Sequence, residues 1–194
     1  MVAAAFPEVK AVVAISPSHA RWEGLSAKRL PEGPAWTYGG QALPYIPNRI
    51  GLRFAARYAW DKLARKPIPT TPLFLENLTD SARAAGAEIP VERIQGPVLL
   101  LSGKDDQVWP SSLMAERLIA RLRQHRHPFR DEHLSYDDAG HWLPNVYVPL
   151  RGSRQRMKWV IGGTAEGTSR VQADSWPKIL RFLAGDSLQR KRGH

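Results

Sequence analysis

The sequence contains no cysteine. That absence excludes a disulfide framework and any thiolate zinc site, and it fits a reducing compartment. The opening stretch "MVAAAFPEVKAVVAIS" is short and is interrupted by Glu8 and Lys10. It therefore reads as neither a secretory signal nor a membrane span, and a cytoplasmic protein is expected. Acidic residues are scarce, with 18 Asp and Glu against 28 Lys and Arg, leaving a formal charge of +10. The surplus gathers in 117–130, 151–158 and 190–194. Such charge attracts anions, though a solvated helix face and a frayed tail account for it more simply. No aromatic-interleaved basic motif accompanies it, so nucleic acid is not an expected partner. No internal repeat breaks the chain.

What is present suits one domain. With 194 residues, 43% of them hydrophobic, the chain can bury a sizeable core. "VKAVVAI" (9–15) and "GPVLLLSG" (96–103) are short, continuous apolar runs. Runs of that kind predict strands buried on both faces of a parallel sheet. "DEHLSYD" (131–137) alternates and predicts a strand nearer an edge. "SSLMAERLIARLRQ" (111–124) predicts a helix whose inner stripe is Met114, Leu118 and Leu122, with Ala115 and Ile119 beside it and Ser111 or Ser112 as cap. "NRIGLRFAARYAWDKLARK" (48–66) predicts a longer helix with Leu52, Ala55, Ala56, Ala59 and Leu63 on its apolar side. A last helix is expected over 171–185, with Pro177 at its start or at a kink and Gly185 at its end. This rhythm predicts an α/β fold, a mostly parallel sheet flanked by helices. The segment 17–47, rich in Pro, Gly and aromatics, is too long for a passive link; a lid-like insert over 17–72 and a surface insertion both fit.

In a parallel sheet, working side chains stand on loops beyond the carboxyl ends of the strands. Asp106 follows "VLLLSG" and His141 follows "HLSYDDAG", so both fall at such ends. An aspartate that accepts from one imidazole nitrogen fixes the tautomer and leaves the other nitrogen as a base. Gly103 and Gly140 allow the sharp turns that these loops need. Asp105 competes for the acid role, but the Gly-x-x-Asp spacing favours Asp106. Asp105, Asp137 and Asp138 read as turn formers. His19, His125, His127, His133 and His194 read as surface or packing residues. Trp109, in the acid loop, and the cations Arg121, Arg123 and Arg126 are the candidate substrate-binding residues.

"FPEVKAVVAISPS" (6–18), "IPVERIQGPVLLLSGKDDQVWPSS" (89–112), "HLSYDDAGH" (133–141) and "GGT" (162–164) followed by "DSWPKILRFL" (174–183) together resemble the C-terminal α/β-hydrolase domain of acyl-CoA thioesterases and bile acid-CoA:amino acid N-acyltransferases. The resemblance spans residues 1–187, beyond which 188–194 is a basic tail. It implies a nucleophile–Asp–His triad with Asp106 as acid and His141 as base. It implies an acyl-CoA thioester substrate, coenzyme A being part of that substrate, and no metal or organic cofactor. The acyl acceptor, water or an amino acid, stays open.

The nucleophile elbow of this fold, Gly-x-Ser-x-Gly or a Cys variant, occurs nowhere in the chain. The resemblance puts it upstream of Met1, on a missing N-terminal fragment. Ser16 and Ser18 follow the first strand without an elbow's glycines, and Ser102 and Ser135 sit within strands, so none is the expected nucleophile. The chain alone is expected to turn over acyl-CoA poorly. A sheet that stops early exposes an edge, so a homo-oligomer or the missing fragment is the expected companion. A non-catalytic binding module and a hydrolase of other esters or peptides are the alternatives.

Overall fold

The computed structural model describes residues 1–25, 31–143 and 160–186. The basic stretch 151–158 and the tail 188–194, with His194, lie outside the described residues. A short helix α1 (Val2–Ala5) precedes β1 (Val12–Ile15). Two small hairpins follow, β2 (Glu23–Leu25) with β3 (Pro31–Pro34) and β4 (Thr37–Tyr38) with β5 (Gln41–Ala42). Then come α2 (Leu52–Leu63), α3 (Thr71–Asn77), α4 (Ser81–Ala87), β6 (Val98–Gly103), α5 (Ser111–Gln124), β7 (Asp131–Tyr136) and α6 (Ala165–Arg181). β1, β6 and β7 form one parallel sheet in that order, with Val12 opposite Val98 and Val98 opposite Asp131.

β6 is the centre of this sheet, and all six of its residues are buried. Side chains alternate across a strand, so its leucines divide between two layers. Val98 and Leu100 pack with Ala115, Leu118, Ile119 and Leu122 of α5 and with Ile89, Val91 and Ile94. Leu99 and Leu101 pack on the other face with Leu143, Val171, Ile179 and Phe182. The result is the expected α/β layering, with the predicted stripe of α5 turned inward. Ser111 and Ser112 do not cap α5: Pro110 holds that position without a side-chain bond. A third cluster joins Ala20, Trp22, Ile46, Leu78, Ala84 and Ala87 to Met114, which seats the 17–47 segment against α5. His127 is a packing residue, fully buried, with its Nδ1 2.9 Å from Asp131 Oδ1 and its Nε2 2.9 Å from the Ile94 carbonyl.

Three expectations need correction. β1 is only half-buried and Ile15 is 45% exposed, because β1 pairs with β6 and with no other described strand. The apolar side of α2 faces outward: Leu52 is 87% and Leu63 81% exposed, while Phe54 and Asp61 face inward. Pro177 does not open α6, which begins at Ala165 and runs through it. Gly185, with φ of +102°, ends the final turn in the left-handed region that glycine tolerates.

Candidate active site

Asp106 and His141 meet above the carboxyl ends of β6 and β7. Asp106 is almost wholly enclosed, and its Oδ1 accepts from the backbone N–H groups of Val108 (3.0 Å) and Trp109 (3.2 Å). These two bonds fold the loop back on its own carboxylate, the usual local habit of aspartate. They leave Oδ2 facing His141 Nδ1 at 2.9 Å. Thr71 Oγ1 donates to the Asp106 carbonyl (2.8 Å) and Thr70 Oγ1 to that of Val108 (2.6 Å), so the start of α3 steadies the acid loop.

His141 is held through both its backbone and its ring. Its backbone N–H donates to the Ile161 carbonyl (2.7 Å), and its backbone carbonyl accepts from Ser16 Oγ (2.6 Å). The Trp109 ring stands edge-on to it, with centroids 5.1 Å apart. Trp109 Nε1 donates to the Ser16 carbonyl (3.0 Å), and Phe74 packs edge-on behind Trp109, followed by Trp22. Among the described residues no partner reaches His141 Nε2. Because Asp106 accepts at Nδ1, the proton belongs there and Nε2 carries the lone pair.

The sequence did not disclose what joins the two loops. Gly162 and Gly163 wedge between them, bridging to Asp106 and to Ala139, and both take positive φ, +75° and +71°. A Cβ on Gly162 would overlap the Asp105 carbonyl, and one on Gly140 would overlap the carbonyls of Ile161 and Gly162. Asp105 is more than a turn former: its Oδ2 accepts from Gly163 N–H at 2.7 Å. The consecutive glycines followed by Thr164, which caps α6, were the available signal.

The basic candidates stand elsewhere. Arg121 lies ten residues into α5, roughly 15 Å along the axis from its start beside the acid loop. Both oxygens of Glu92 accept from it, at 2.6 and 2.9 Å, and Glu88 accepts at 2.5 Å. That pairing holds Glu92 below and Arg121 above their ordinary pKa. The charge of Arg121 ties α5 to the α4 side and is not free for a substrate. Arg123 and Arg126 are exposed, but at the same far end.

The serines are engaged as well. Ser16 is buried, with its hydroxyl on the His141 carbonyl rather than on the ring. Ser18 donates to the Ala20 carbonyl, Ser102 pairs with His133 and Ser135 with Ser112. His19 is buried beside Arg117 (3.0 Å), and desolvation, then that cation, pushes its pKa down to about 4. Among the described residues no cluster of three or more His, Asp or Glu is placed to hold a metal.

A parallel sheet between helical layers, with a carboxylate and an imidazole joined over two strand ends, defines an α/β-hydrolase-type domain. The comparison with known families narrows this. The family described as BAAT / Acyl-CoA thioester hydrolase C terminal matches residues 69–188, more than half the chain, and the chain belongs to it. Among curated relatives, the mouse peroxisomal succinyl-coenzyme A thioesterase is 33% identical over 101 residues, 49% of this chain and 23% of that protein. Mouse acyl-coenzyme A amino acid N-acyltransferase 1 is 31% identical over 105 residues, 52% and 25% of the two chains. Rat acyl-coenzyme A thioesterase 1 is 27% identical over 129 residues, 62% and 30%. The matched stretch thus spans only about a quarter of these relatives' length.

Proposed function

We propose that this chain supplies the acid and base of an acyl-CoA thioester hydrolase or acyltransferase, acting with a nucleophile carried outside its 194 residues. The Asp106–His141 contact at 2.9 Å, with Nε2 unpartnered among the described residues, carries the reading. His141 Nε2 takes the proton from the nucleophile as that group attacks the thioester carbonyl. The C–S bond then breaks, and the imidazolium returns the proton to the departing coenzyme A thiolate. Water, or an amine, next gives its proton to Nε2 and attacks the acyl carbonyl; the bond to the nucleophile breaks, and the imidazolium returns that proton to the departing nucleophile. Asp106 keeps Nδ1–H in place and stabilises each transient imidazolium, and Trp109 forms a wall beside the ring.

The engaged serines support the view that the nucleophile comes from elsewhere. The half-exposed β1 supports an added segment or a second copy against that edge.

The test is thiol release from acyl-CoA by the 194-residue chain and by a form extended in frame through the coding sequence upstream of Met1. The chain alone should stay near background. The extended form should turn over, and His141→Ala should slow it by about 10³-fold or more. Turnover by the short chain that His141→Ala abolishes, or turnover by the extended form that survives His141→Ala, would sink the proposal.

A further inference from the structure

Helix α2 is built the wrong way round for a helix that serves only its own core. Its inward side carries Phe54 and Asp61, and Asp61 takes an ion pair from Arg57 at 3.4 Å. Its outward side carries Ala55, Ala59, Leu52, Leu63, Ala56 and Trp60, an apolar sector that spans roughly 140° at 100° per residue. Leu52 and Leu63 are more than four-fifths exposed, Trp60 is 64% exposed, and Ile50 just before the helix is 69% exposed. Lys62 borders this sector on one side and Arg53 on the other. From Arg49 to Lys66 there are six cations and a single acid, the inward Asp61.

The geometry points to α2 as an interfacial anchor that lies on an anionic lipid surface. A second copy of the chain would set like charges against each other along both borders of the helix. A bilayer rich in anionic headgroups meets every feature at once. The leucines and Trp60 enter the headgroup–acyl boundary, and the Lys and Arg stems snorkel outward to the headgroups. With 12 residues α2 is too short to span a bilayer and lies along its surface. The inference is independent of the acyl-transfer reading.

The experiment is cosedimentation of the purified chain with vesicles of phosphatidylcholine alone and of phosphatidylcholine with phosphatidylserine. Binding should be at least about tenfold stronger to the anionic vesicles and should fall as salt is added. Leu52→Gln with Leu63→Gln should weaken it by more than about tenfold, since two leucines leave the lipid. These side chains are exposed, so far-UV circular dichroism should not change. Lys62→Gln, which disturbs no packing, should weaken binding by about fivefold. No binding to either vesicle, or binding that both variants leave intact, overturns the inference. So does a dimer, seen by light scattering without lipid, that the double leucine variant dissolves.

Discussion

Strand β6 and helix α2 both read as apolar elements in the sequence, and they end in opposite surroundings. β6 has a strand on each side and a helical layer on each face, so all six of its residues are buried. α2 has its inward contacts at Phe54 and Asp61 and turns Leu52 and Leu63 to the outside. Hydrophobic periodicity identifies a face; what that face meets is decided by neighbours that the local sequence does not name. The Asp106–His141 pair hangs from the first kind of element, which is why its geometry is fixed from many directions.

The largest effect that separates the two regions is a truncation in each. Leu101→Ala removes a fully buried side chain and should cost about 2–5 kcal/mol in urea unfolding. If Leu101→Ala proved as mild as a surface change, the packing of β6 would be misjudged.

A pH series sharpens the contrast between buried and exposed groups. Unfolded His19 titrates near 6.5 and folded His19 near about 4, so between those values the unfolded chain binds more protons. Its contribution is fully present above pH 6.5 and is lost as pH falls towards 4, up to about 3 kcal/mol. His19→Gln should flatten that part of the unfolding curve; an unchanged slope would count against the buried, neutral imidazole.

Gly162→Ala probes the link between the two loops. It should cost about 1–3 kcal/mol, from positive φ and the overlap with Asp105, and it should also broaden or shift the His141 ring signals. Loss of stability with His141 untouched would show that the glycines do not position its ring. Leu52→Ala is the smallest, within about 0.5 kcal/mol of the parent, because the leucine it removes is 87% exposed.

Much of the fold was legible because its strongest patterns are local. β6, α5 and β7 follow from unbroken or periodic apolar residues, and the predicted stripe of α5 is the one that is buried. Asp106 and His141 could be picked out because each ends a strand after a glycine. The remainder depends on distant partners. Arg121 looks like a free cation until Glu88 and Glu92, some 30 residues earlier, are seen to hold it. Asp105 looks like a turn residue until Gly163, 58 positions on, donates to it. The outward turn of α2 has no local sign either, since its amphipathic pattern is the same whichever way it faces.

The most direct measurement is the tautomer of His141 in the intact chain, read by long-range proton–nitrogen NMR above neutral pH. The account predicts a proton on Nδ1 and a bare Nε2, a preference that disappears in Asp106→Ala. A proton on Nε2 in the parent chain, or a spectrum that Asp106→Ala leaves unchanged, would contradict it.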